Sequence, residues 1–278
     1  MTPGLPSTRG VAVALACAAA AVVVVVAALA VAGADVGDAR LLWNDVVFRA
    51  HAPAPLAYYR DDDPASFSLW LAHDVFIRDA LAHGHLPTWV PNHGGGYGLL
   101  PALYPGILHP LRWLTVLAPE RQAQSVVIVA GVAFAFAGMR LLLRSLGASR
   151  AASFAGAGIF TFAPFVASIM KFDAVVSIGY LPWLCLCAWW VMARPRPLSV
   201  AVFAVTTATC AFSGHPTLNL ASIIAMLAFA ATAAPRDRVR RSVVVIVVAG
   251  ACAIAFSAPA LVPFLVELWS EVLRRADR

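Results

Sequence analysis

The chain has 278 residues, of which 61% are hydrophobic and only 12% are charged, and its mean hydropathy is +0.81. That is more apolar surface than one soluble core of this length can bury, so composition excludes an ordinary soluble globular protein and predicts a membrane protein. The net charge of +6 comes mainly from short arginine-bearing segments between apolar runs. Contact with anionic membrane lipids fits this charge, and no nucleic-acid partner is needed to explain it.

Seven apolar runs are long enough, or nearly so, to cross the hydrocarbon layer, which takes roughly 20 helical residues. The first, 11–33, exceeds the roughly 7–15 apolar residues of a cleaved secretory signal and is interpreted as a retained anchor. The others lie at 124–146, 151–170, 174–193, 198–213, 217–234 and 242–268. We therefore expect an all-α, polytopic integral membrane protein of about seven transmembrane helices. It would form a single membrane domain over 1–278, with six spans in 124–268 and a C-terminal tail at 269–278.

Arginines in the short loops predict the orientation, since basic residues stay preferentially on the cytoplasmic side. With a cytoplasmic N-terminus, the inner segments hold ten arginines and one acidic residue, Asp237. These arginines are Arg9, Arg140, Arg144, Arg150, Arg194, Arg196, Arg236, Arg238, Arg240 and Arg241. The long segment 34–123 is then extracytoplasmic, on the outer face of the plasma (inner) membrane. The C-terminal sequence LRRADR departs from the rule, because three of its arginines would also lie outside.

The segment 34–123 is the longest loop, and function is expected to be concentrated there. It holds six of the seven histidines, but no HExxH or similarly spaced metal cluster. A divalent cation stays open as a cofactor, without assigned ligands. The chain also lacks a GxxxxGK[ST] loop, which argues against nucleotide hydrolysis.

An acidic cluster, Asp61, Asp62 and Asp63, precedes Pro64 and a helical pattern that begins near Ser66. One interpretation is a helix N-cap, where acidic residues suit unpaired amides and the macrodipole. The other is a general base or cation ligand near the membrane surface, because crowded carboxylates raise one another's pKa. The residues alone leave both open.

The next stretch, SFSLWLAHDVFIRDALAH, predicts an interfacial helix. At 100° per residue one sector holds four large apolar residues, Phe67, Trp70, Leu71 and Leu81. Asp74 and Arg78 share this sector. They are spaced to form an ion pair, or Arg78 faces a pocket and binds a lipid-linked phosphate.

Residues 83–105, HGHLPTWVPNHGGGYGLLPALYP, combine consecutive glycines with prolines that prevent a regular helix over most of the stretch. Irregular backbone near a membrane needs protein or a water-filled cavity around it, so a cavity-lining segment is expected. Lys171 and Asp173, and His215 in SGHPT, lie in short loops on the same predicted side. Their alternatives are an ordinary solvated turn for Lys171 and Asp173, and a lone histidine without chemistry for His215.

The order of acidic cluster, amphipathic helix, GHLPTWVPNHGGGYG and LYPGILHPL resembles the YfhO-like bacterial membrane proteins. SGHPT and SAPALVPFLVEL are similar to later elements of that family. The resemblance implies a GT-C type glycosyltransferase, which moves a sugar from a polyprenyl-phosphate carrier to a cell-envelope glycan, lipid or protein. YfhO-like proteins usually continue through further spans, so a non-catalytic membrane scaffold and a transporter or flippase of lipid-linked substrates remain as alternatives.

The resemblance also implies roles for individual residues. The essential carboxylate falls on Asp61, Asp62 or Asp63, and Arg78 or Lys171 would stabilise the leaving phosphate. Trp89 and Tyr97 would offer flat surfaces to a sugar or prenyl chain, and Asn92 and His93 would hydrogen-bond sugar hydroxyls, with loop packing as the alternative for all four. The expected substrate-binding set is Asp74, Arg78, Trp89, Asn92, His93, Tyr97, Lys171, Asp173 and His215.

Overall fold

The computed structural model describes residues 72–90, 96–102, 106–117, 123–169, 174–234 and 239–276, which are mostly helical. Within these ranges, four helices are long and apolar enough to cross a membrane. Several predictions fall outside them, as does the side chain of Asp74. They concern the first span, 11–33, the start of the interfacial helix near Ser66, and Asp61, Asp62, Asp63, Asn92, His93, Lys171 and Asp173.

The loop preceding the bundle is folded around a small core of its own. Four apolar side chains, each at most 8% exposed, form this core: Ile77, Val90, Leu99 and Ile107. We call the described residues 72–117 the loop unit. Its elements are α1 (Ala72–Ala82), an antiparallel pair of β1 (Trp89–Val90) and β2 (Tyr97–Gly98), α2 (Leu99–Ala102), α3 (Pro110–Trp113) and a 3-10 turn (Leu114–Leu117).

Helix α1 ends at the glycine that begins the GHLPTWVPNHGGGYG segment. Gly84 has a φ of +77°, a left-handed conformation that glycine adopts readily. The amide of Gly84 donates to the Leu81 carbonyl at 3.0 Å, and the amide of His85 donates to the Ala80 carbonyl at 2.8 Å. This is the Schellman arrangement, which satisfies the last carbonyls of a helix and turns the chain away.

Seven helices follow the loop unit within the described ranges. Three of them match predicted spans to within one residue at each end, and a fourth contains the predicted span 242–268. The helices are α4 (Ala123–Ser145), α5 (Arg150–Thr161), α6 (Pro164–Ile169), α7 (Val175–Ala193), α8 (Pro197–Ala211), α9 (Pro216–Ala233) and α10 (Val239–Ala276).

Three predicted spans differ from the observed helices. The span 151–170 is two helices, because Pro164 supplies no amide hydrogen and disfavours a helical Ala163 before it. The span 198–213 is the 15-residue α8, which is shorter than a full crossing. The seventh extends to Ala276, so most of the predicted tail belongs to α10.

Helix α7 lies at the centre of the bundle. Of an 18-residue apolar stretch of this helix, 83% is buried inside the protein. Helix α7 packs against α4, where glycines leave room for α7 side chains. A Cβ on Gly138 would lie 2.4 Å from Trp183 Nε1, and one on Gly131 would lie 2.9 Å from Val175 Cγ1. Trp183 Nε1 also donates to the Phe134 carbonyl at 2.9 Å, which gives its only polar atom a partner.

The bundle has two chemically different ends. At the loop end, the loop unit packs against the start of α7 and the turn between α8 and α9. The opposite, arginine end carries charges at the helix ends and connections there, namely Arg140, Arg144, Arg150, Arg194, Arg196, Arg240 and Arg241.

Candidate functional site

Gly106 joins the loop unit to the bundle. Its φ is +70°, and a Cβ there would lie 2.6 Å from the Phe212 carbonyl oxygen and 2.9 Å from the Ser213 carbonyl carbon. Only glycine fits this close approach without a shift of backbone. The LYPGILHPL segment therefore contacts Phe212 and the start of the SGHPT segment, although Gly106 and Phe212 are 106 positions apart in the sequence.

His109 bonds the loop unit to α7. Its Nδ1 accepts from the Leu111 amide at 3.2 Å and caps α3, so Nε2 carries the proton and donates to the Tyr180 hydroxyl at 2.6 Å. The His109 side chain is 1% exposed. Burial, and then the positive charge of Arg112, lower the pKa of His109 to about 3. His109 is therefore neutral at physiological pH, and the geometry suits positioning better than proton transfer.

Tyr180 also lies beside α8, where the Thr209 side chain is close to its hydroxyl. Thr209 Oγ1 itself donates to the Val205 carbonyl at 2.9 Å. His109, Tyr180 and Thr209 therefore bring α3, α7 and α8 together at the loop end.

A second buried polar group fixes the turn that precedes His215. Ser177 Oγ and Ser213 Oγ lie 2.7 Å apart, and Ser213 Oγ lies 2.9 Å from Asn219 Oδ1. All three residues are buried, and they belong to α7, the turn and α9. Because polar groups inside a membrane bundle need internal partners, this cluster holds the three elements together at the loop end.

His215 occupies the N-cap position of α9 and is half-buried. Burial lowers its pKa, which its own backbone hydrogen bond partly opposes. It follows Gly214, whose φ is +95°, in the turn that Gly106 contacts. Among the expected site residues that the structure describes, His215 follows directly on the turn that the LYPGILHPL segment contacts.

Trp89 and Tyr97 face different surroundings, although they lie on paired strands. Tyr97 packs with the loop-unit core and is hydrogen-bonded to His73 Nε2, and burial raises the pKa of Tyr97. Trp89 lies against Gly96 and is 56% exposed. Trp89 is thus free to offer a flat apolar surface to a ligand, whereas Tyr97 joins the hairpin to α1.

Arg78 is ion-paired with its neighbour Asp79, at 2.6 Å between Nη1 and Oδ1. The Arg78 side chain is 23% exposed, so a phosphate can reach it only at the surface of α1. The buried face of α1 instead contains His73 and Ile77, and Leu81 of the predicted apolar sector packs beside it.

Sequence reasoning missed most of the buried polar residues at this end. They are His109, Arg112, Ser177, Tyr180, Ser213 and Asn219. One signal was present: His-Pro occurs at 109–110 and at 215–216, and both histidines are N-cap residues of helices that begin with proline. Tyr180 was a second signal, a polar hydroxyl within an apolar span. Arg112, only 2% exposed, had none.

The described residues contain an apolar cleft beside Gly106. Leu100, Phe212 and Ala260 are among its lining residues. Within the same ranges, no three His, Cys, Asp or Glu side chains are grouped to hold a metal ion. The described residues of the loop unit therefore supply a buried polar framework and two exposed tryptophans, Trp89 and Trp113.

Comparisons with protein-family models, with curated proteins and with solved structures found no match.

Proposed function

We propose that this chain is a YfhO-like, GT-C type membrane glycosyltransferase with seven spans. It takes a sugar from a polyprenyl-phosphate carrier and transfers it to a cell-envelope acceptor on the extracytoplasmic face of the plasma membrane. The observation that supports this most is the contact of Gly106 with the backbone of 212–214. Two segments that carry the family resemblance meet there, at the end of the bundle opposite the arginines.

The proposed chemistry is an inverting displacement. A carboxylate of Asp61, Asp62 or Asp63 accepts the proton of the acceptor hydroxyl, whose oxygen forms the bond to the anomeric carbon. The bond between that carbon and the phosphate oxygen breaks, and its electron pair leaves with the lipid phosphate. Arg78 or Lys171 stabilises the phosphate charge. If the reaction needs a divalent cation, the acidic cluster is its ligand.

The proposed sugar site lies around the β1–β2 hairpin. Trp89 supports this, because its exposed ring can stack on the apolar face of a sugar. Asn92 and His93 lie in the sequence that joins the two strands and would bind sugar hydroxyls. Tyr97 anchors the hairpin, and three further residues complete the proposed substrate-binding set: Asp74, Asp173 and His215.

A transporter would need polar groups along a path through the spans. In the described part of α7, the buried residues between the loop end and the arginine end include Leu184, Leu186, Ala188 and Val191. The hydrogen-bonded Ser177 and Tyr180 are near the start of that helix. This distribution favours a reaction at one face over passage through the bundle.

The proposal is tested in cells that lack the gene. We expect deletion to remove one envelope glycan and to accumulate the polyprenyl-linked sugar on the outer leaflet. The native chain should restore the glycan, and so should the control Glu267→Gln, an exposed carboxylate near the C-terminus of α10. At least one of Asp61→Asn, Asp62→Asn and Asp63→Asn should fail at equal protein level. Unchanged glycans on deletion would favour a scaffold, and accumulation on the inner leaflet would favour a flippase.

A further inference from the structure

Helix α10 is longer than a membrane crossing requires. Its 38 residues extend about 57 Å at 1.5 Å per residue, whereas the hydrocarbon layer is about 30 Å thick. Arg240 and Arg241 mark the arginine end, and Ala260 lines the cleft at the loop end. The residues after Ala260 therefore continue past the loop end of the bundle.

The last turns of α10 are amphipathic. At 100° per residue, seven large apolar side chains fall within an arc of about 160°. We call them the C-terminal apolar face: Val262, Leu265, Val266, Leu268, Trp269, Val272 and Leu273. The opposite side carries Glu267, Ser270 and Arg274, with Arg274 Nη2 at 3.8 Å from Glu267 Oε1 and Arg274 Nε donating to the Ser270 carbonyl at 3.3 Å.

The C-terminal apolar face is uncovered by the described residues. Its side chains are 48–65% exposed, with Trp269 the most exposed of them. It continues the exposed apolar surface that α10 carries nearer the arginine end, where Val244, Val247 and Ile254 fall within the same arc and are 55–67% exposed. Since lipid is the natural cover for that membrane-spanning part, the continuity points to the same cover for the C-terminal apolar face.

Two prolines lie where the span ends and the amphipathic part begins. Pro259 and Pro263 each leave a helix carbonyl without its amide partner, and Ser257 Oγ donates to the Ala253 carbonyl at 2.8 Å just before them. These features bend helices. The direction of α10 can therefore change at the hydrocarbon boundary.

We propose that residues 262–276 lie in the membrane–water interface at the loop end. The C-terminal apolar face inserts at the acyl-chain boundary, and Glu267 and Arg274 face water. Trp269 suits this position, because tryptophan is enriched at membrane interfaces. The preceding span already holds the segment beside the bilayer. The inference is independent of sugar transfer.

Tryptophan fluorescence in proteoliposomes of phosphatidylcholine tests this proposal. The chain has eight tryptophans, so the Trp269 component is the difference between the native protein and Trp269→Phe. We expect lipids brominated near the headgroup to quench this component more than lipids brominated near the chain end, and aqueous acrylamide to quench it weakly. Strong acrylamide quenching without lipid quenching would overturn the proposal.

Two lysine substitutions supply a matched comparison on one helix. Leu273→Lys places a charge on the C-terminal apolar face and should reduce lipid quenching of Trp269 to about half or less. Ser270→Lys places it on the polar side and should preserve the quenching. Equal effects of the two would contradict insertion by this face. Lipid quenching that disappears at high protein-to-lipid ratio and returns on dilution would assign the face to a second copy of the chain instead.

Discussion

His109 Nε2 donates to the Tyr180 hydroxyl at 2.6 Å, across 71 positions of sequence. With the contact of Gly106 against Phe212 and Ser213, this bond holds the loop unit on the end of the bundle. His109 is neutral, since burial opposes its charged form. The hydrogen bond between His109 and Tyr180 therefore holds a loop segment in a fixed position against a membrane helix.

Tyr180→Phe should lower stability, because it leaves a buried imidazole N–H without its acceptor. We expect a cost of about 1–3 kcal/mol. The measurement is the apparent Tm in detergent. The control is Thr207→Val, which removes a half-buried hydroxyl that bonds only its own helix at the Phe203 carbonyl. Equal Tm changes for the two variants would contradict a stabilising role of the His109–Tyr180 hydrogen bond.

Gly106→Ala should loosen the loop unit from the bundle. A φ of +70° and an approach of 2.6 Å to the Phe212 carbonyl oxygen leave no room for a Cβ, so we expect a cost of about 2 kcal/mol or more. Gly158→Ala is the control, since nothing lies within 4 Å of its Cβ position in α5 and alanine favours a helix. Limited proteolysis in the loop unit should accelerate only for Gly106→Ala.

Stability should fall in acid partly through His109. Its pKa is about 3 in the folded chain and near the ordinary 6.5 when unfolded, so between these values only the unfolded chain binds the proton. The contribution of His109 to the free energy of unfolding is complete above about pH 6.5. It declines towards pH 3 by at most about 1.4 kcal/mol per pH unit. His109→Asn keeps a capping acceptor but does not titrate.

The drop in apparent Tm between about pH 7.5 and pH 5 should therefore be smaller for His109→Asn than for the native protein. His215, whose pKa burial also lowers, is present in both proteins, and its effect cancels in the comparison. Identical drops would show that His109 titrates normally in the folded chain.

Trp89→Ala should weaken substrate binding without unfolding the protein. Stacking of a sugar on the exposed ring is worth about 1–1.5 kcal/mol, which corresponds to a KM about tenfold higher. Trp89→Phe should retain most of the affinity. Leu86→Ala, which removes another exposed apolar side chain of the loop unit, is the control. Similar KM values for Trp89→Ala and Leu86→Ala would remove Trp89 from the sugar site.

Local pattern predicted the long helices well, because a run of about 20 apolar residues has few other structures open to it. The sequence also contained a signal for the break between α5 and α6, namely Pro164. The long apolar run around this proline nevertheless predicted one continuous span. The irregular character of 83–105 followed from its prolines and glycines. Its two-residue strands did not, since so short a pairing depends on the core formed by Ile77, Val90 and Ile107.

The contacts that hold the loop unit on the bundle could not be predicted from local sequence patterns. A contact such as Gly106 with Phe212 depends on the packing of several helices, and nothing near either residue specifies it. The family resemblance includes both segments but does not explain why residue 106 is a glycine. The structure supplies that reason in the missing space for a Cβ.

We propose that this chain transfers a sugar from a polyprenyl-phosphate carrier with a carboxylate of Asp61, Asp62 or Asp63 as the base. The most direct measurement is release of polyprenyl phosphate by purified protein in liposomes that contain polyprenyl-phosphate-linked hexoses and an envelope acceptor. We predict release by the native chain and by Glu267→Gln, and a rate at least about 100-fold lower when all three aspartates are replaced by asparagine. Release no faster than in protein-free liposomes, or an unchanged rate in the triple variant, would contradict the account.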